Sequence, residues 1–130
     1  MGKHFINSAH KERFISMMIE DDMSLSDSER ASLFYIITGN DDLYKKRRFI
    51  YDPCEHSICD CLDDPNIDFS SGMHSLIRLG FNLYNGWSDR YTTPSSLLSC
   101  LDGRNLMLAG NAIMIRFARG LPEKLVDNQI

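Results

Sequence analysis

Arg47-Arg48-Phe49-Ile50-Tyr51-Asp52-Pro53-Cys54-Glu55-His56-Ser57-Ile58-Cys59-Asp60-Cys61-Leu62 is the stretch on which the fold class turns. Residues 47 to 52 are rich in β-branched and aromatic side chains, the composition of a strand. Pro53 ends that strand, and residues 57 to 62 can return beside it, which predicts a β-hairpin around Pro53-Cys54-Glu55-His56. Side chains alternate along a strand with period two, so Cys59 and Cys61 would project from one face. Cys54 and His56 would reach the same point from the turn. Three of the chain's four cysteines and one of its four histidines therefore fall within eight residues.

Thiolate sulfur and neutral imidazole nitrogen are the ligands zinc prefers, and four of them make a closed tetrahedral site. The expected ligands are Cys54, His56, Cys59 and Cys61. Such a site would be structural, with no position open to substrate. The spacing departs from the usual paired Cys-x2-Cys form, so a ligand could instead come from His10, His74 or Asp60. A water in the fourth position would turn the site towards hydrolysis. A two-stranded hairpin alone is marginal in water, so the metal would supply much of its stability.

On both sides of this stretch the apolar residues return to helical spacing. A first helix is expected over residues 8 to 22, started by Asn7 or Ser8 and carrying Phe14, Met17, Met18 and His10 on one face. Glu20-Asp21-Asp22 at its end opposes the helix dipole. Ser26-Asp27-Ser28-Glu29 reads as a capping box that opens a second helix. Leu33, Phe34, Ile36 and Ile37 give that helix a broad apolar face, and Gly39-Asn40 supplies a left-handed stop. Asp41 to Lys46 reads as one short turn.

After a polar loop through Asp63, Asp64, Asp68 and Gly72, a third helix runs from Met73 to Tyr84 and closes at Asn85-Gly86. Gly80 within it costs about 1 kcal/mol relative to alanine, which points to close packing on another helix. Thr93-Pro94 opens a short fourth helix. Leu106, Ala109, Ile113 and Phe117 are expected to face the core from a fifth, ended by Gly120 and Pro122. The predicted architecture is α+β, predominantly α, with about five helices and one zinc-stabilised β-hairpin. Residues 1–130 are expected to form a single globular domain.

The 43% apolar and 25% charged residues are those of a soluble globular chain. No apolar run approaches the ~20 residues of a membrane span. Met1-Gly2-Lys3-His4-Phe5 lacks the apolar core of a secretory signal, so a cytoplasmic protein is expected. In that reducing setting clustered cysteines read as metal ligands and not as disulfides. Cys100 reads as a small core residue, and His4, His10 and His74 as surface or satisfied core histidines. A net charge of −4 argues against direct nucleic-acid binding. There is no nucleophile elbow, Gly-rich phosphate loop or telling acid–base pair. The chain therefore reads as a binding module and not as an enzyme.

Phe34-Tyr35-Ile36-Ile37-Thr38-Gly39-Asn40 with Leu43-Tyr44, and Arg78-Leu79-Gly80-Phe81-Asn82-Leu83-Tyr84-Asn85-Gly86, resemble a family of uncharacterised small proteins of Firmicutes, their phages and mobile elements. Leu101-Asp102 and Asn111-Ala112-Ile113 extend the resemblance over most of the chain. The cysteine cluster is not a general feature of that family. A phage setting and a zinc site together resemble a streptococcal prophage anti-CRISPR protein acting on the type II effector nuclease. That resemblance implies a monomeric inhibitor that binds the nuclease and blocks target DNA loading. Its acidic loops would face the nuclease's basic nucleic-acid channel, with Asp63, Asp64, Asp68, Glu20, Asp21 and Asp22 as the expected contacts. The alternatives are a zinc-stabilised regulatory or toxin-neutralising module that uses Lys45 to Arg48 and Trp87, or a zinc-dependent hydrolase.

Overall fold

The computed structural model describes residues 5–22 and 27–118. At its centre is α2 (Ser28–Gly39), whose last nine residues, Ala31 to Gly39, are all buried. A helix apolar on every side is stable only where neighbours cover each face. Here α1 (Ser8–Glu20), α5 (Ser71–Asn85) and α7 (Gly103–Phe117) all pack against it. The cap of α2 is Asp27, whose carboxylate accepts from the Arg30 N–H at 3.0 Å. Ser26 of the expected capping box lies outside the described residues.

Two glycines let these helices approach. A Cβ at Gly80 of α5 would lie 2.8 Å from Leu33 Cδ1 on α2, so the expected close packing is present. A Cβ at Gly39 would collide with Leu108 of α7 and reach 3.0 Å from the His10 ring. Gly39 is thus a packing residue inside α2, and not the left-handed stop its sequence position suggested. The stop is Asn40, in extended backbone, which also begins α3 (Asp41–Lys45) by accepting from the Leu43 N–H at 3.0 Å.

The decisive stretch divides differently from the expectation. Arg47–Ile50 forms a short helix, α4, and only Tyr51–Asp52 (β1) and Ser57–Ile58 (β2) are strands. They pair antiparallel with Tyr51 opposite Ile58 and Asp52 opposite Ser57. One more bond, Cys59 N–H to the Ile50 carbonyl at 2.8 Å, extends the pairing. The strand signal of Phe49 and Ile50 yields to local helical bonds: Phe49 N–H donates to the Lys46 carbonyl at 3.0 Å, and the Arg47 guanidinium lies 4.1 Å over the Tyr44 ring. Strand propensity is weak enough for such contacts to override it.

Downstream the expectations hold better. Gly86 caps α5 in the left-handed region at φ 82°, and Thr93 caps α6 (Pro94–Leu98). Trp87 is half-buried, edge-on to Phe81 at 5.6 Å. In α7 the buried side chains are Leu108, Ala109, Ala112 and Ile115. Of the expected core face only Ala109 is buried; Leu106 and Phe117 are exposed and Ile113 is partly buried. Cys100 is exposed as well, with its sulfur 3.1 Å from Ser75 Oγ. Among the described residues no helix is long and apolar enough to cross a membrane.

Candidate functional site

Asp21 ends α1, where a carboxylate meets the negative pole of the helix. It is nevertheless only 2% exposed. Three partners compensate. Its carboxylate accepts from the Tyr51 hydroxyl at 2.7 Å, from the Arg30 guanidinium at 2.7 Å, and meets His56 Nδ1 at 3.0 Å. Burial, with the nearby Asp21 charge, pushes the Tyr51 hydroxyl well above its ordinary range. Burial pulls the Arg30 guanidinium the other way, but the Asp27 and Asp21 carboxylates outweigh it and keep the cation charged.

His56 forms the tip of the hairpin with left-handed backbone, φ 52°. Its ring is held by Asp21 and its carbonyl accepts from the Tyr84 hydroxyl at 3.1 Å. Asp21, Asp22, Arg30, His56 and Tyr84 line an open cleft between the end of α1, the start of α2 and the hairpin tip. These residues come from four separate parts of the sequence, and no local spacing announces them.

The four expected zinc ligands do not converge. Cys54 is exposed, Cys59 points at the Arg48 carbonyl at 3.9 Å, and Cys61 is 1% exposed within the core. Burial raises the Cys61 thiol to about 12, and burial with the Asp52 charge raises Cys59. Among the described residues no group of three or more His, Cys, Asp or Glu side chains is placed to hold a metal ion. A closed zinc site in this hairpin would require these four side chains to be drawn together; His56 could keep its Nδ1 contact with Asp21 and offer Nε2. His10 offers no substitute. Its Nδ1 accepts from the Ile6 N–H at 3.0 Å and its Nε2 lies 2.9 Å from the Tyr35 carbonyl, so both nitrogens are engaged.

Beyond the hairpin runs the acidic loop. Asp60, Asp63, Asp64 and Asp68 are exposed; the last three lie between the buried side chains of Cys61 and Phe69. The loop has internal order: Asp64 accepts from the Asn66 N–H at 2.9 Å, and Lys46 donates to the Asp68 carbonyl. Residues 52 to 68 carry six acidic side chains and no lysine or arginine. With a chain total of −4, everything outside that segment sums to a positive charge.

Of the six expected contact residues, Glu20, Asp22, Asp63, Asp64 and Asp68 lie on the surface. Glu20 is taken up by an ion pair with Arg48 at 2.7 Å. Asp21 is turned inward and is a structural residue, which corrects its expected place at the contact surface. The basic run is also largely engaged within the chain, Arg47 on Tyr44, Arg48 on Glu20, and Lys46 at 5.4 Å over the Phe69 ring.

A family model described as a family of unknown function, DUF6075, matches residues 1–128. The chain belongs to that family. No curated protein and no solved structure matches it. The DUF6075 match takes in every element described above, from α1 to α7, together with the hairpin and the acidic loop. Membership thus covers the whole architecture and assigns no activity.

Proposed function

We propose that this DUF6075 protein acts by binding another protein, without a reaction of its own, and that its acidic loop is the contact surface. The partner surface would be basic. The candidate is the nucleic-acid channel of a type II RNA-guided DNA nuclease, where an acidic loop would stand in for phosphates and keep target DNA from loading. One observation carries the reading: the net negative charge is concentrated in residues 52 to 68, from the hairpin through a loop that carries Asp63, Asp64 and Asp68 between buried Cys61 and Phe69. Charge complementarity of this kind steers association and is weakened by salt.

Purified protein, titrated into guide-loaded nuclease, should bind it and suppress DNA binding and cleavage. The double substitution Asp63→Lys, Asp64→Lys should weaken that inhibition about tenfold or more at low salt, with the difference shrinking as salt rises. Unchanged cleavage across several orthologous nucleases, with protein in excess, would remove the nuclease from the reading. Zinc on the hairpin is a separate proposal, resting on the Cys54, His56, Cys59 and Cys61 spacing and requiring the rearrangement described above.

A further inference from the structure

The outer face of α7 carries the largest run of exposed apolar side chains on one described helix. Leu106, Met107, Met114 and Phe117 are 45%, 58%, 65% and 72% exposed, and Ile113 is partly buried beside them. A soluble monomer rarely leaves so continuous a patch open without a use for it. The spacing is also ordered. Gly103, Gly110 and Phe117 recur every seventh residue, with Leu106 and Met107, then Ile113 and Met114, between them. That is the heptad pattern of a helix which packs along a second helix.

Among the described residues nothing accounts for Gly110. A Cβ there would meet nothing within 4 Å, whereas the helical Gly39 and Gly80 each face a side chain that excludes one. A mid-helix glycine costs about 1 kcal/mol relative to alanine, so an unopposed one in an apolar seam points to close approach from outside.

We propose that the occupant is a second copy of this chain, its α7 lying antiparallel across the first with the two Gly110 residues at the crossing. The face is self-complementary in that direction. Seven residues after Gly110 is the large Phe117; seven before it is Gly103, whose Cβ position is also open. Antiparallel pairing sets each Phe117 over the other copy's Gly103, Met114 against Leu106 and Met107 against Ile113, and opposes the helix dipoles favourably. A dimer departs from the expected monomer and is independent of whether the acidic loop binds a nuclease.

Sedimentation velocity on the full chain over a wide concentration range tests this, with Met114→Lys and Gly110→Leu beside wild type. Wild type should be dimeric, and each variant should raise the dissociation constant about tenfold or more with unchanged helical circular dichroism. Gly110→Cys, oxidised and digested, should yield a 110–110 cross-linked peptide between copies. A wild-type monomer at every concentration, a dimer indifferent to Met114→Lys, or a monomer that instead binds lipid vesicles through this face would each overturn the proposal.

Discussion

Asp21 and Tyr51, thirty residues apart in sequence, are joined inside the protein by a 2.7 Å hydrogen bond. It fastens the end of α1 to the first strand of the hairpin. Tyr51→Phe removes one of three partners from a buried carboxylate and should cost about 1–2 kcal/mol. Asp21→Ala leaves Arg30 and Tyr51 without their shared acceptor and should cost more, about 3 kcal/mol, since Arg30 keeps Asp27. The two changes share a partner, so the double variant should cost less than their sum. Urea unfolding of all four proteins gives the comparison; strict additivity would mean the bond carries no stability.

His10 makes stability depend on pH. Burial, the largest influence, lowers its pKa from 6.5 to about 4. The unfolded chain therefore binds a proton that the folded chain refuses between those values. Stability should be complete above pH 6.5 and fall as pH drops towards 4, by about 3 kcal/mol from this residue. Imidazole nitrogen shifts followed by NMR should show His10 neutral down to nearly pH 4. Titration of His10 near 6.5 would contradict this.

Gly39 and Gly110 should respond in opposite ways to alanine. At Gly39 the added methyl group meets Leu108 and the His10 ring. Overpacking of that kind costs about 1–3 kcal/mol despite alanine's better helix propensity. At Gly110 nothing stands within 4 Å, so the same change should stabilise α7 by up to about 1 kcal/mol in dilute protein. Thermal melts at low concentration compare them directly, and a Gly39→Ala protein as stable as wild type would show that Leu108 can move aside freely.

The metal question has a simple measurement. The zinc proposal stands on elemental analysis: one equivalent per chain, lost in Cys59→Ser and His56→Ala, with the hairpin loosened by chelators, would establish the Cys54 to Cys61 site, and zinc-free protein whose fold is indifferent to chelators would remove it.

Helices with a periodic face and a clear end or cap could be located from the sequence alone: Met73 to Gly86 and Thr93 onward needed nothing remote, although α5 begins earlier than expected, capped by Ser70 from within the expected polar loop. The hairpin was visible as a break in periodicity, but its strands were overextended, because Arg47 and Phe49 are set by contacts with Tyr44 and Lys46. In α7 both faces are apolar, so spacing could not say which one meets α2. The Asp21 junction left no local trace: Asp21, Arg30, Tyr51, His56 and Tyr84 are brought together only by the packing of α1, α2 and α5. Clustered cysteines, by contrast, are conspicuous in sequence whether or not the fold gathers them.

The hairpin tip is pinned twice, through the His56 ring to Asp21 and through its carbonyl to Tyr84. The acidic loop therefore leaves a fixed origin, and Cys61 and Phe69 fix it again on either side. A loop ordered in advance loses little conformational entropy when it meets a partner. Association would then be limited chiefly by encounter, which charge accelerates, and a variant that frees His56 should slow binding even though it leaves every aspartate in place.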